Sequence, residues 1–535
     1  MDEKKQWIMN WAEDKKEDIS KWHQIIWNYA EPAWREYKSS KWYVDFLRAD
    51  GWEVEAGSGG MPTAFCATWS NGDGPTIGGY AEYDATPENC QAADTVRRPR
   101  EGMSEYAAGH TDPHSALGIG SLSGFLAAKA AMQKFNIPGK LKFMGEPAEK
   151  VRGAKPVHAA KGYYDDMDAA ISYHPFFTLT LANTTIWDTH VGAAYSIVYS
   201  FKCDDPETWM RAEHKSGSVL DAAAWAVTPA QASVRCPGAT EAVIEMHNIT
   251  KKFKEHLVPT TIGGCINETI LTLGQATSDN QCPRIGQILI VMRVQDPETA
   301  EKATAILDRN AESIAKMCGC TWEKIWVSKS RQGLPNHTLA AATFENFKVA
   351  GAPQYSEKAQ EYAREIQRSL GLEPMDKPLC DELSQLQDPI EAEKKMRLMF
   401  PADQVYFTSD DYADYTWQTP TVRMYNARPA LKVPSGYVYP AWVSSATGGI
   451  PEMIDPTMVN AAKIIGMTVI DLLTKPEILK AAREEFNERT GGGIGGTKWV
   501  APLCDYEAPV DLKWPEYVTT ARGEEQWCIP AKGDR

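Results

Sequence analysis

The chain has 535 residues, 43% of them hydrophobic and 18 of them Trp, enough to bury a large core and to form at least two domains. A formal net charge of −15 without any basic stripe argues against nucleic acid and anionic membrane as partners. The opening MDEKKQWIMNWAEDKKED is too charged for a signal peptide, and no uninterrupted apolar run approaches the roughly 18 residues of a membrane span. The 11 Cys are scattered without a C-x-x-C pair, which fits reduced thiols, so the expectation is a soluble cytoplasmic protein.

The segment to about Phe46 reads as helix, with Trp, Ile and Leu at helical spacing amid Lys and Glu. PTIGGYAEYD reads as a strand running out into Glu82 and Asp84. A polar connector containing GHTDPH (Gly109 to His114) follows, then a helix over SALGIGSLSGFLAAKAAMQKF. KLKFMGEPAEK is a strand with Glu146 and Glu149 just past its end. KPVHAAKG reads as helix and DAAISYHP as a strand ending at His174. This alternation predicts an α/β fold, a mostly parallel sheet with helices on both faces. Ligands bind at the C-terminal edge of such sheets, so Asp84, GHTDPH, Glu149 and His174 are placed to converge on one crevice.

From about Val191 the pattern changes. AAYSIVYSFK, INETILTLG, QILIVMRVQ and CTWEKIWVSKS alternate like half-exposed strands, with helical stretches such as ETAEKATAILDRNAESIAKM between them. This is a smaller α+β unit inserted into the chain and ending near Gly333. The α/β pattern resumes at LPNHTLAAATFENF and runs to PTMVNAAKIIGMTVIDLL, which divides the chain into blocks 1–190, 191–333 and 334–535.

GHTDPH sets three metal-seeking side chains, His110, Asp112 and His114, on alternate positions. Taken singly, Asp112 would serve as a helix cap and His174, before a proline, as an ordinary loop histidine. Taken together at strand ends, they favour a metal site.

The run AEYDATP, GHTDPHSALGIGS, GEPAEK and GYYDDMDAAISYHP resembles the metal-dependent amidohydrolases that include aminoacylases, carboxypeptidase G and auxin-conjugate hydrolases. LPNHTL, VAGAPQYSEKAQEYA, FTSDDYADYTWQTPT and GGTKWVAPLCDYEAPV extend the likeness over nearly the whole chain, toward the branch of p-aminobenzoyl-glutamate hydrolase B subunits. The resemblance implies a zinc-peptidase-like catalytic domain interrupted by a lid domain that also dimerises. A homodimer is expected, with a heteromer of homologous subunits as the other option.

The family's catalytic layout maps in part. Where relatives carry H-x-C-G-H this chain has His110, Asp112 and His114, so Asp112 stands for the ligand cysteine. Where relatives have P-A-E-E it has PAEK: Glu149 matches the general base and Lys150 replaces a ligand glutamate. His174 matches a further ligand, and Asp84 the residue that orients one. The last family ligand, a C-terminal histidine, is missing, because VYPAWVSS offers Pro440 or Ala441 there and all ten histidines lie at or before His337.

Both losses fall on the same metal of the two-metal relatives. The expectation is therefore one divalent ion, Zn²⁺ or Mn²⁺ with Fe²⁺ also possible, held by Asp112, His114 and His174 with His110 close by. Lys150 would supply part of the missing positive charge. His214, with His247 as rival, would fill the place of the family's lid histidine, while Asn280 and Arg293 resemble its substrate-holding turn and arginine. Asp411 and Trp442 are further candidates for contact with a small, aromatic, carboxylate-bearing substrate. The functions weighed are a C–N hydrolase, an aryl-amine deaminase on the same centre, a catalytically degenerate ligand-binding or partner subunit, and an iron oxygenase triad.

Overall fold

A computed structural model describes residues 2–203, 208–210, 234–235, 238–257, 264–274 and 283–510. The N-terminal segment expected as one helix is three, Glu3–Asp14, Lys16–Tyr29 and Tyr37–Ala49. The chain turns after Tyr29 because Ala30 and Trp34 take positive φ, 40° and 63°, where a right-handed helix cannot continue. Glu31 then caps the third helix, its carboxylate accepting from the backbone N–H groups of Lys38 and Ser39 at 2.8 Å.

In chain order the strands begin with β1 (Glu53–Ala56), β2 (Phe65–Ser70), β3 (Thr76–Ala81), β4 (Lys140–Gly145), β5 (Ala169–Phe176) and β6 (Thr184–Thr185). They continue with β7 (Ala193–Lys202), β8 (Thr208–Met210), β9 (Val234–Arg235), β10 (Cys265–Thr272), β11 (Ile285–Val294), β12 (Thr321–Ser330) and β13 (Thr421–Ala427). The main sheet has the order β1-β2-β4-β3-β5-β13-β6. Its centre, β4, β3, β5 and β13, is parallel, and the edges are antiparallel. The fold is thus a mixed α/β sheet flanked by helices, and the C-terminal ends of β3, β4, β5 and β13 share one rim.

The helix His114–Phe135 runs back from that rim, buried along almost its whole length. It approaches the helix Pro451–Thr474 so closely that a Cβ on Gly124 would stand 2.5 Å from the side chain of Ile465. Leu117, Ile119, Leu122 and Phe125 are fully buried in the main core, each contributing about 1.5–3 kcal/mol of burial. By length and mean hydropathy these two helices could cross a membrane, although neither is an uninterrupted apolar run. They are 94% and 83% buried inside the protein, where they form the core.

A second sheet, order β10-β11-β7-β12, is antiparallel throughout. Tyr195, Ile197, Tyr199 and Phe201 point from β7 toward the helices Ala239–Leu257 and Pro297–Met317. The opposite face supplies Val198, Leu289 and Val327, which pack with Trp34, Ala148, Val151 and Val157. The small sheet therefore covers the turn that follows β4, and Ser328 Oγ donates to the Val151 carbonyl at 2.7 Å.

Candidate metal centre

The turn after β4 carries Glu149 and Lys150 between Ala148 and Arg152, both in the left-handed region (φ 59° and 57°). Such backbone costs about 1–3 kcal/mol per residue and persists where the surroundings enforce it. Here they do: Glu36 accepts from the Ala148 N–H at 2.7 Å, Asp84 from the Lys150 N–H at 2.8 Å, and the Arg152 guanidinium donates to the Ser409 carbonyl at 3.1 Å. The other oxygen of Asp84 lies 2.7 Å from His114 Nδ1, so Asp84 fixes the imidazole and leaves Nε2 facing the rim.

Around His114 Nε2 stand Glu149 Oε2 at 3.3 Å, Glu82 Oε2 at 3.4 Å and Asp112 Oδ2 at 3.6 Å, and His174 Nε2 lies 3.6 Å from Asp112 Oδ1. The nitrogen–oxygen distances are too long for good hydrogen bonds. They match the roughly 3.4 Å edge between donors that each sit about 2.1 Å from one ion in tetrahedral array. Glu82 Oε2 and His114 Nε2 are buried and have no hydrogen-bond partner among the described residues. Unpaired buried polar atoms of this kind are costly. The donor set, imidazole nitrogen with carboxylate oxygen, suits Zn²⁺, Mn²⁺ or Fe²⁺. Two overlapping sets answer the description, Glu82, His114 and His174, and Asp112, His114 and Glu149. The residues fit a divalent ion.

The electrostatics agree. Burial opposes the imidazolium of His114, but Asp84 and Asp112 outweigh it and hold its pKa well above the ordinary value. These carboxylates call for positive charge at this ring, which a proton or a metal meets. Burial likewise opposes ionised Asp112 and Glu149. Lys150, His114 and His174 overcome it for Asp112, and Arg152, Lys150 and His114 for Glu149, so both stay ionised well below the usual carboxylate range. His174 is pushed by burial down to about 4 and remains a neutral donor.

The remaining candidates divide between the centre and other surroundings. His110 is buried outside both donor sets, its Nε2 3.4 Å from the Ile26 carbonyl, so it does not join the centre. Lys150 pairs with Asp112 at 2.7 Å and lies 3.8 Å from Glu149. Asp411 is fully buried and bound to Lys155 at 2.6 Å, so it has no face for substrate. Trp442 is partly buried and packs against the cluster that contains Ile366, Val443 and Met453. Arg293 reaches from β11 to Thr408 Oγ1 at 3.0 Å, and the neighbouring Arg152 lowers its pKa to about 10. His214 and Asn280 lie outside the described residues.

The structure also adds residues. Glu82 had a signal, two positions before Asp84 beyond the same strand and therefore on the same side. Lys155, Asp410, Arg152 and Arg423 had none, because their placement depends on contacts far along the chain. Arg423 donates to Asp410 at 2.7 Å and lies over the rings of Tyr412 and Tyr425.

No family model matches the chain. It is 22% identical over 477 residues to the B subunit of p-aminobenzoyl-glutamate hydrolase from Escherichia coli, an alignment spanning 87% of this chain and 91% of that protein. Thermostable carboxypeptidase 2 of Saccharolobus solfataricus is 25% identical over 297 residues, 55% of this chain and 67% of that one. Among solved structures, an aminobenzoyl-glutamate utilization protein from Klebsiella pneumoniae shares the fold, with 12% identity and a TM-score of 0.50 over 88% of this chain and 99% of that chain. The chain is thus similar along nearly its whole length to a subunit of a metal-dependent amidohydrolase, and it shares the fold of an aminobenzoyl-glutamate utilization protein.

Proposed function

We propose that the chain hydrolyses an amide or related C–N bond in a small, aromatic, carboxylate-bearing molecule, using one divalent ion per chain. The observation that carries this reading is the convergence of Glu82, Asp112, Glu149 and His174 on the unpartnered Nε2 of buried His114. Glu82, His114 and His174, with Asp112, would hold the ion. When bound it would supply a lowered pKa for water and a Lewis acid for the substrate carbonyl.

Glu149, held ionised by Arg152 and Lys150, takes a proton from the attacking water and returns it to the leaving nitrogen. Its rigid turn fixes its direction. Lys150, partly open to solvent and next to Asp112, donates to the oxygen on which negative charge develops. Arg293 holds the substrate carboxylate from the small sheet, which serves as lid and dimer surface in this reading. The Escherichia coli relative is named as one subunit of its hydrolase, which supports assembly with a homologous partner as the other arrangement.

The test is metal analysis of purified protein beside a hydrolysis screen of p-aminobenzoyl-glutamate, N-acyl amino acids and aromatic amines. One ion per chain is expected, with turnover that a chelator abolishes and Zn²⁺ or Mn²⁺ restores. Metal-loaded protein that turns over none of these substrates would favour the partner-subunit alternative.

A further inference from the structure

Beside the His114 centre lies a second concentration of negative charge. Oxygens of Glu82, Asp410 and Asp411 come within 4.8 Å of one another, a spacing at which three carboxylates could hold a metal ion. Asp411 is fully buried, and its Oδ2 has no hydrogen-bond partner among the described residues. The side chain of Lys155 enters from the helix Ala154–Ala160. Its Nζ is 2.7 Å from Glu82 Oε1 and 2.6 Å from Asp411 Oδ1, and lies over the ring of Tyr80 at 4.9 Å. Two carboxylates and one aromatic face account for the three N–H donors of an ammonium. Lys155, Glu82 and Asp411 all have no solvent exposure.

Glu82 links this group to the centre. One of its oxygens is taken by Lys155, and the other, without a hydrogen-bond partner among the described residues, is the one facing His114 Nε2 at 3.4 Å. We propose that Lys155 is a built-in cation: its ammonium fills a second cation position, among Glu82, Asp410 and Asp411, and by engaging one oxygen of Glu82 presents the other to the metal centre. Lys155 is thus a positioning residue, and the inference rests on the reading of the His114 cluster as a metal site. It also gives a physical reason why one exchangeable ion suffices. A fixed ammonium already balances the acids on the far side of Glu82.

The experiment counts ions. Metal-free full-length protein, wild type and Lys155→Ala, is loaded with Mn²⁺ alone, freed of excess, and its bound metal measured, with and without methylammonium as a small replacement for the lost side chain. The expected result is one more Mn²⁺ per chain in Lys155→Ala than in wild type, removed by millimolar methylammonium, and no added ion in Lys155→Arg. Should Lys155→Ala need methylammonium to be purified at all, that dependence is itself the expected rescue, and Lys155→Gln carries the count. An unchanged number of ions in both neutral variants, with no effect of methylammonium, overturns the proposal. The wild-type number tests the one-ion reading, whereas the increment tests Lys155, so the two can fail separately.

Discussion

Glu146 and Glu149 lie three residues apart after the same strand, both buried, yet their surroundings differ. Glu146 Oε1 accepts from the hydroxyls of Tyr164 and Tyr415, each at 2.7 Å, and its Oε2 meets His158 Nδ1 at 2.8 Å. The far nitrogen of His158 is 2.9 Å from Ser58 Oγ, which closes the network. Glu149 has cations near it, Arg152 and Lys150 at 3.8 Å, and the unpartnered His114 Nε2 at 3.3 Å, all beyond good hydrogen-bond length. A buried acid whose oxygens are fully satisfied holds the fold together. One that is charged, rigidly placed and left short of partners is available for chemistry.

The largest effect expected from this contrast is on turnover. Glu149→Gln keeps size and polarity but cannot take a proton, so kcat should fall about 10²–10⁴-fold while the bound metal is unchanged. Metal analysis alongside a rate assay checks this, and a rate within a few-fold of wild type would remove Glu149 from the role of base. Glu146→Ala should do the reverse. Removing one partner from a buried charged network costs about 3–5 kcal/mol, read as a lower urea midpoint, while the protein that remains folded keeps its specific activity. If Glu146→Ala instead lost activity without losing stability, the division between the two glutamates would be wrong.

Lys150 sits between these extremes. Its side chain and that of Asp112, to which it is bonded, are 27% and 30% exposed, so water can take over part of the charge that its loss leaves unpaired. Lys150→Met should lower kcat about 10–100-fold, with little change in KM or in unfolding midpoint, if the ammonium serves the developing oxyanion. A raised KM with unchanged kcat would assign it to substrate binding instead.

The difference between the two glutamates also shows what a sequence can carry. The parallel core and the four strands of the second sheet, β7, β10, β11 and β12, were legible, because apolar alternation and its periods are local properties. So was the grouping of Asp84, His114, Glu149 and His174 at one rim, since strand ends in a parallel sheet share an edge. Glu82 could have been found by its spacing from Asp84. Lys155 could not: a lysine in KPVHAAKG looks like a solvated helix residue until Asp411, 256 positions away, is placed against it. The helix break at Ala30 was equally hidden, because nothing in the residue types announces a left-handed alanine.

The smallest predicted effect concerns a half-buried acid that has neither a partner network nor a cation. Asp455, near the start of the helix Pro451–Thr474, borders a cavity of about 780 Å³ between the N-terminal helices and residues 350–356. Its Oδ1 has no hydrogen-bond partner, and burial, against a hydrogen bond from Ser20, pushes the carboxyl up from 3.8 to about 7. The folded state therefore keeps a proton that the unfolded chain releases at lower pH. Between about pH 4 and 7 the unfolded state binds fewer protons, so this group's contribution falls as pH rises and levels off above 7. Unscreened, a shift of that size corresponds to about 4 kcal/mol, and solvent contact reduces it to the order of 2 kcal/mol. Asp455→Asn should match wild type near pH 4 and be more stable by that amount at pH 8, as urea unfolding at the two pH values would show. Parallel pH dependence in both proteins would mean that Asp455 finds a partner when ionised, and that burial without a cation is not enough to set a carboxylate apart in this fold.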